Sequence, residues 1–352
     1  MTFASVEDLK KIEGEMPWEQ RENATTMYQF LTSTKDRFPN RPASSYQLLS
    51  GPTDKAETLT WAELHAKSVQ AANMFRDLGI GEKDTVAYVM PNCNETLITL
   101  LGGMIAGIAN PINPLLEPEQ IGAILRETDA KVVVTVKSFV KTDVAQKVAE
   151  AVRHAPHVHT VLEVDLNRYL TPPKSWIVPL IRPKNPTGHH ADVKNFNKEL
   201  SKYPTTLQFE DSAGDRVAAY FHTGGTTGMP KVAQHLYSGM VYNGWLGGTL
   251  LFDETDSIMC PLPLFHVFAV HVIMQAAIAS GAHVVFPTPA GYRGDGVFDN
   301  FWKLIERWKT TCAPEEIAAC MMTCTAKTWN SGSGHMMLSS SVKSSVSPSQ
   351  PL

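Results

Sequence analysis

Thr223-Gly224-Gly225-Thr226-Thr227-Gly228-Met229-Pro230-Lys231 concentrates in one stretch the groups that hold polyphosphate. Glycines let the backbone turn tightly and bring its N–H groups against an anion. Threonine hydroxyls rotate to suit phosphate oxygens, and the lysine adds a compact positive charge. The Walker order, Gly-x-x-x-x-Gly-Lys-Ser/Thr, is not met, because Lys231 follows Pro230 and precedes Val232. The Rossmann order Gly-x-Gly-x-x-Gly is also absent. An ordinary Gly/Thr-rich turn would leave this density of donors without a purpose. The segment reads as a polyphosphate cradle.

Two other groupings could do chemistry. His154, His157 and His159 have a spacing that could ligate a metal, but a polar helix end entering a strand accounts for them as well. Cys312, Cys320, Cys324 and His335 invite a zinc reading, yet their spacings fit no regular finger. No metal site is assigned from the sequence.

The cradle needs elements to position it, and the hydrophobic pattern supplies them. Arg216-Val217-Ala218-Ala219-Tyr220-Phe221 predicts a strand running straight into the glycine-rich segment. Upstream, Val69, Ala72, Phe75 and Leu78 recur at helical spacing before Gly79-x-Gly81. Thr85–Met90 follows as a buried strand, then an apolar helix around Leu97–Ile108 that ends at Asn110-Pro111. Pro118-Glu119-Gln120 opens another helix, Lys131–Val136 is the next strand, and a helix near Val144–Val152 precedes the strand Thr160–Leu162. His283–Phe286 and Phe298–Trp308 add a later strand and helix. Strands alternating with helices imply an α/β fold of layered, mostly parallel sheets with helices on both faces. Residues 170–205, rich in Pro, Lys, Asn and His without a clean period, read as a surface excursion between two lobes. Residues 313–352 turn rich in Ser and Met and read as a disordered tail.

Composition narrows the class. The chain of 352 residues is 43% hydrophobic and 19% charged, which excludes collagen-like, wholly disordered and coiled-coil readings. A net charge of −4 gives no broad cationic surface for nucleic acid. Five irregularly spaced cysteines suit a reducing compartment. No signal peptide is visible, and the apolar run Leu97–Ala109 is too short for an integral membrane segment; its Gly103-x-x-x-Gly107 spacing suits a buried helix. The expected location is the cytoplasm.

Thr223 to Lys231 resembles, position by position, the phosphate-binding signature of the adenylate-forming superfamily of acyl-CoA synthetases, luciferases and peptide-synthetase adenylation domains. Pro261-Leu262-Pro263-Leu264-Phe265-His266-Val267 resembles that family's next core motif. Leu59–Leu64, Gly81–Ala87 and Gly107–Pro114 are similar to its opening segments. The resemblance spans about residues 25 to 312 and is nearest to fatty-acyl or related acyl-CoA synthetases. It implies that residues 1–312 form part of an N-terminal AMP-binding domain, incomplete at its C-terminal side.

The resemblance also implies chemistry. A carboxylic acid is adenylated by Mg2+-ATP, and CoA then takes the acyl group. Thr223, Gly224, Gly225, Thr226, Thr227, Gly228 and Lys231 would hold the leaving pyrophosphate, and His266 would sit where acyl group and nucleotide meet. The family's Tyr-Gly-x-Thr-Glu and Thr-Gly-Asp segments and its small C-terminal domain, however, do not follow Lys231 in this chain. By lineage the expectation is an acid–thiol ligase. The competing expectation is a catalytically incompetent fragment that binds nucleotide weakly.

Overall fold

A computed structural model of the chain describes residues 5–15, 24–186, 188–212, 214–223 and 230–313. Two helices, α1 (Val6–Glu15) and α2 (Met27–Arg37), precede the hairpin β1 (Pro42–Gln47) and β2 (Ala56–Thr60). Thr60 and Glu63 then exchange side-chain and backbone hydrogen bonds in a capping box that starts α3 (Trp61–Asp77). Alternation follows: β3 (Thr85–Val89), α4 (Asn94–Ala106), β4 (Ile108–Pro111), α5 (Pro118–Glu127), β5 (Ala130–Val136), α6 (Val144–Arg153) and β6 (Thr160–Val164). Next come α7 (Lys174–Ile181), β7 (Asp192–Asn195) and α8 (Phe196–Leu200). The strands β8 (Val217–Thr223) and β9 (Lys231–Leu236) lead into α9 (Tyr237–Leu250). Then β10 (Ser257–Met259), α10 (Gln275–Ser280), β11 (His283–Phe286) and α11 (Val297–Trp308) complete the described chain.

The larger sheet has the order β7-β6-β5-β3-β4-β8-β9, parallel throughout except for the antiparallel pair β8–β9. From β3 the chain steps through α4 to β4 on one side, then returns through α5 and α6 to β5 and β6 on the other. Right-handed crossovers therefore put α4 on one face and α5 and α6 on the opposite face. The smaller sheet, β10-β11-β1-β2, is parallel except for β2. One apolar core joins the sheets, and the Trp61 indole inside it donates to Gly281 O at 3.1 Å.

The expected α/β architecture of mostly parallel sheets with helices on both faces is present. Two local expectations need correction. The apolar helix does not run on to Asn110-Pro111; it ends at Ala106, and Ile108–Pro111 is a buried strand. A Cβ on Gly107 would lie 2.5 Å from Asp84 O and 2.7 Å from Gly81 O, so only glycine lets the chain turn there and pair with β3. Residues 170–205 are also not irregular: they hold α7, β7 and α8, with β7 hydrogen-bonded to β6 at the sheet edge and Phe196 fully buried. Their charged composition reflects an edge position, with solvent on one side.

Candidate functional site

Strands β8 and β9 carry the two ends of the glycine-rich segment. They pair antiparallel in a register that sets Thr223 opposite Lys231. The parallel contact between β8 and β4 fixes this pair to the large sheet. The strand expected to close at Phe221 runs on to Thr223, and Lys231 opens the next with its side chain exposed. Gly224, Gly225, Thr226, Thr227 and Gly228 lie outside the described residues, as does the Thr223 side chain.

Just before the segment, half-buried His222 is held by a relay that settles its proton. Thr128 Oγ1 donates to Ile124 O at 2.8 Å and so must accept from Asn110 Nδ2, also at 2.8 Å. Asn110 then presents Oδ1 to His222 Nε2 at 2.6 Å, which makes that nitrogen the N–H donor and leaves Nδ1 unprotonated. Burial pushes the His222 pKa down to about 4, so the ring stays neutral at pH 7. The relay ties the last turn of β8 to β4 and α5.

The Pro261–Val267 segment reaches the same edge of the sheet through β3. Buried Tyr88 donates its hydroxyl to Leu264 O at 2.6 Å. Asn92, fully buried just past β3, accepts from Leu264 N at 2.8 Å and donates to Leu262 O at 3.1 Å. Since β3 and β8 flank β4, their ends lie roughly 10 Å apart. His266 itself is exposed, and its Nδ1 accepts from Phe268 N at 3.2 Å. The β8–β9 pair and the Pro261–Val267 segment therefore converge on the carboxyl edge of a parallel sheet, where open α/β folds bind ligands.

A family model described as AMP-binding enzyme matches residues 31–346. The chain belongs to the AMP-binding enzyme family. The match runs on past Cys312, where the motif-level resemblance ends. A marinolic acid–CoA ligase of Pseudoalteromonas sp. (strain SANK 73390) is 29% identical over 87% of this chain and 44% of its own length. A long-chain-fatty-acid–CoA ligase of Bacillus subtilis (strain 168) is 24% identical over 74% of this chain and 46% of its own. The crystal structure of anthranilate CoA ligase AuaEII with anthranoyl-AMP superposes with a TM-score of 0.65 at 20% identity, covering 84% of this chain and 50% of that one, and shows the shared fold. The chain spans about half the length of the relatives it matches.

Sequence reasoning missed several residues that shape this edge of the sheet. Asn92 and Tyr88 carry no local signal, because their partners lie some 170 positions downstream. His235 on β9 and His271 face each other with ring centroids 4.6 Å apart, and Phe221 on β8 meets both edge-on. Burial and the neighbouring His235 push His271 down to about 4. Among the described residues its Nε2 finds no hydrogen-bond partner. His271 also borders an open surface groove with Asn243, Leu246, Leu250, Leu251 and Val272, of which Leu250 and Leu251 are exposed.

The histidine grouping does not assemble. His154 meets Glu150 at 3.5 Å, His157 meets Asp129 at 3.4 Å, and His159 Nδ1 lies 3.0 Å from Thr160 Oγ1. Cys320, Cys324 and His335 lie outside the described residues. Among the described residues no group of three or more His, Cys, Asp or Glu side chains is placed to hold a metal ion.

Proposed function

We propose that this chain carries the ATP-binding part of an acyl-CoA synthetase that activates an apolar carboxylic acid. The observation that carries the reading is the antiparallel β8–β9 pair, which sets Lys231 opposite Thr223 at the carboxyl edge of the parallel sheet. In the proposed reaction a carboxylate oxygen bonds to the α-phosphorus of ATP, and the bond to pyrophosphate breaks. The CoA thiol then attacks the acyl carbon and AMP leaves. Thr223 to Gly228 and Lys231 would stabilise the charge gathering on the departing pyrophosphate. His266 would border the acyl carbonyl, fixed in place by the Asn92 and Tyr88 contacts to its own segment.

Support for an apolar acyl group comes from the relatives, which include a long-chain-fatty-acid–CoA ligase. Mg2+ enters the proposal only as the companion of the nucleotide. A reducing, cytoplasmic location fits the free thiols of Cys93, Cys260 and Cys312. No described helix is long and apolar enough to cross a membrane.

Carboxylate-dependent exchange of label between pyrophosphate and ATP, run with fatty and aryl acids, tests the reaction, and calorimetric ATP titration tests the cradle. Lys231→Ala is expected to weaken ATP binding about 10- to 100-fold, the worth of one charge-assisted hydrogen bond. Unchanged affinity would remove Lys231 from the cradle.

A second reading concerns these 352 residues taken by themselves, where no Tyr-Gly-x-Thr-Glu or Thr-Gly-Asp string follows Lys231. On it the chain binds nucleotide but does not adenylate. Each missing electrostatic donor costs about 100-fold in rate, so exchange by the 352-residue chain alone should not rise above background. Robust exchange would refute this second reading and leave the first.

A further inference from the structure

Helix α7 breaks the rule that surface helices turn apolar residues inward. Trp176 is 69% exposed, Ile177 47%, Leu180 84% and Ile181 64%, whereas of its eight residues only Val178 is buried. At 100° per residue those four exposed side chains span an arc of about 140°, so they form one continuous face rather than scattered exceptions. The helix is seated on the body by Val178 and by an ion pair just past its end, Arg182 Nη1 to Asp165 Oδ2 at 2.9 Å.

Along the chain the charges of this segment have one sign, and the acids nearest it in space are Asp165, already paired with Arg182, and Asp54, which lines a groove with Lys55 and Lys174. Between Asp165 and Asp192 the chain holds Arg168, Lys174, Arg182 and Lys184 and not one acid, although the whole chain carries a net charge of −4. Lys174 and Lys184 are exposed at the two ends of the helix. Arg168 is spent on Glu57 and Glu95. A short helix with Trp, Ile and Leu outward and lysines at its ends has the chemistry of an interfacial anchor.

We propose that α7 docks the protein on an anionic lipid bilayer, with Trp176, Ile177, Leu180 and Ile181 entering the headgroup layer and Lys174 and Lys184 at the phosphates. A second copy of this chain fits the face less well, because a two-fold contact would oppose like charges. Nucleic acid would leave three aliphatic side chains without a partner. Docking would hold the protein beside the phase in which apolar carboxylic acids dissolve, yet the proposal stands without the ligase reading.

Sedimentation of the 352-residue chain with phosphatidylcholine vesicles, with and without phosphatidylserine, tests it. Binding is expected only with phosphatidylserine and should fall as salt rises. Trp176→Ser with Leu180→Ser should lower the partition at least about tenfold. Lys174→Glu with Lys184→Glu should lower it by a similar factor, since each basic residue near such a surface is worth about fivefold. Trp302→Ser, on equally exposed α11, should change nothing. Brominated lipid should quench part of the tryptophan emission, and Trp176→Phe should abolish that part while keeping the partition. Equal binding to both vesicle types, no binding at low salt, or quenching that survives Trp176→Phe would each overturn the proposal. So would a dimer in sedimentation velocity that Leu180→Ser dissolves, which would assign the face to a second copy. ATP titration of the same variants should be unchanged, which keeps this test separate from that of the nucleotide site.

Discussion

Removing the guanidinium of Arg168 should strand a charge in the interior. Glu95 is 1% exposed on α4, and its carboxylate is met by Arg168 Nη1 at 2.6 Å, Asn197 Nδ2 at 3.0 Å and the Tyr169 hydroxyl at 2.8 Å. The same guanidinium reaches Glu57 on β2 through Nη2 at 2.5 Å and Nη1 at 3.0 Å. This bidentate contact, with further bonds from Asn94 and Tyr169, holds the Glu57 carboxyl below its ordinary range despite burial. Arg168→Met keeps the apolar stem but leaves two carboxylates facing each other, one of them without solvent. Breaking a buried pair by deleting one partner costs about 3–5 kcal/mol. Glu95→Gln should cost less, because the amide keeps the shape and sheds the charge, and the double variant should recover at least about 1 kcal/mol of the Arg168→Met loss. Urea unfolding of the four proteins closes the cycle. A loss below about 1 kcal/mol for Arg168→Met would refute the reasoning, since that is the worth of a solvent-screened surface pair.

Two more outcomes follow from the same geometry. Gly291 sits at φ +60°, where a Cβ would lie 2.1 Å from Pro261 O. Gly291→Ala should therefore cost about 2 kcal/mol or more and disturb the Pro261–Val267 segment, lowering both the melting temperature and the ATP affinity; a silent substitution would sink that link. Stability should also fall on acidification, because burial holds His222, His271 and His283 near 4, well under the 6.5 of the unfolded chain. The unfolded state then binds more protons between these values, so the contribution is whole above pH 6.5 and lost as pH falls toward 4, up to about 3 kcal/mol per ring. His283→Gln should flatten the pH dependence of the urea midpoint; a midpoint already level from pH 7 to 5 in the parent would contradict the burial argument.

Local pattern alone determined the parts of this protein whose cause is local. The buried runs at Thr85–Val89 and Ala130–Val136, the helices started by Pro118 and closed near Gly79, and the glycine- and threonine-rich segment ending at Lys231 all announce themselves within a dozen residues. Period and residue type suffice there, because backbone geometry imposes both. Strand β1 shows the limit. Pro42–Gln47 is largely polar, yet Ser44, Ser45 and Gln47 are fully buried. They are tolerated because Ser44 donates to Asn94, Ser45 bonds to Thr58 and His283, and Gln47 Oε1 accepts from Trp308 Nε1. Ile108–Pro111 likewise continues an apolar run and becomes a strand only because Gly107 fits against Asp84 and Gly81. The neutral His222 tautomer needs Asn110 and Thr128, and the seat of the His266 segment needs Asn92 and Tyr88. In each case the deciding partner lies well outside the local pattern, mostly dozens of positions away. A buried polar group must be satisfied by whatever the fold brings to it, and only the tertiary structure says what that is.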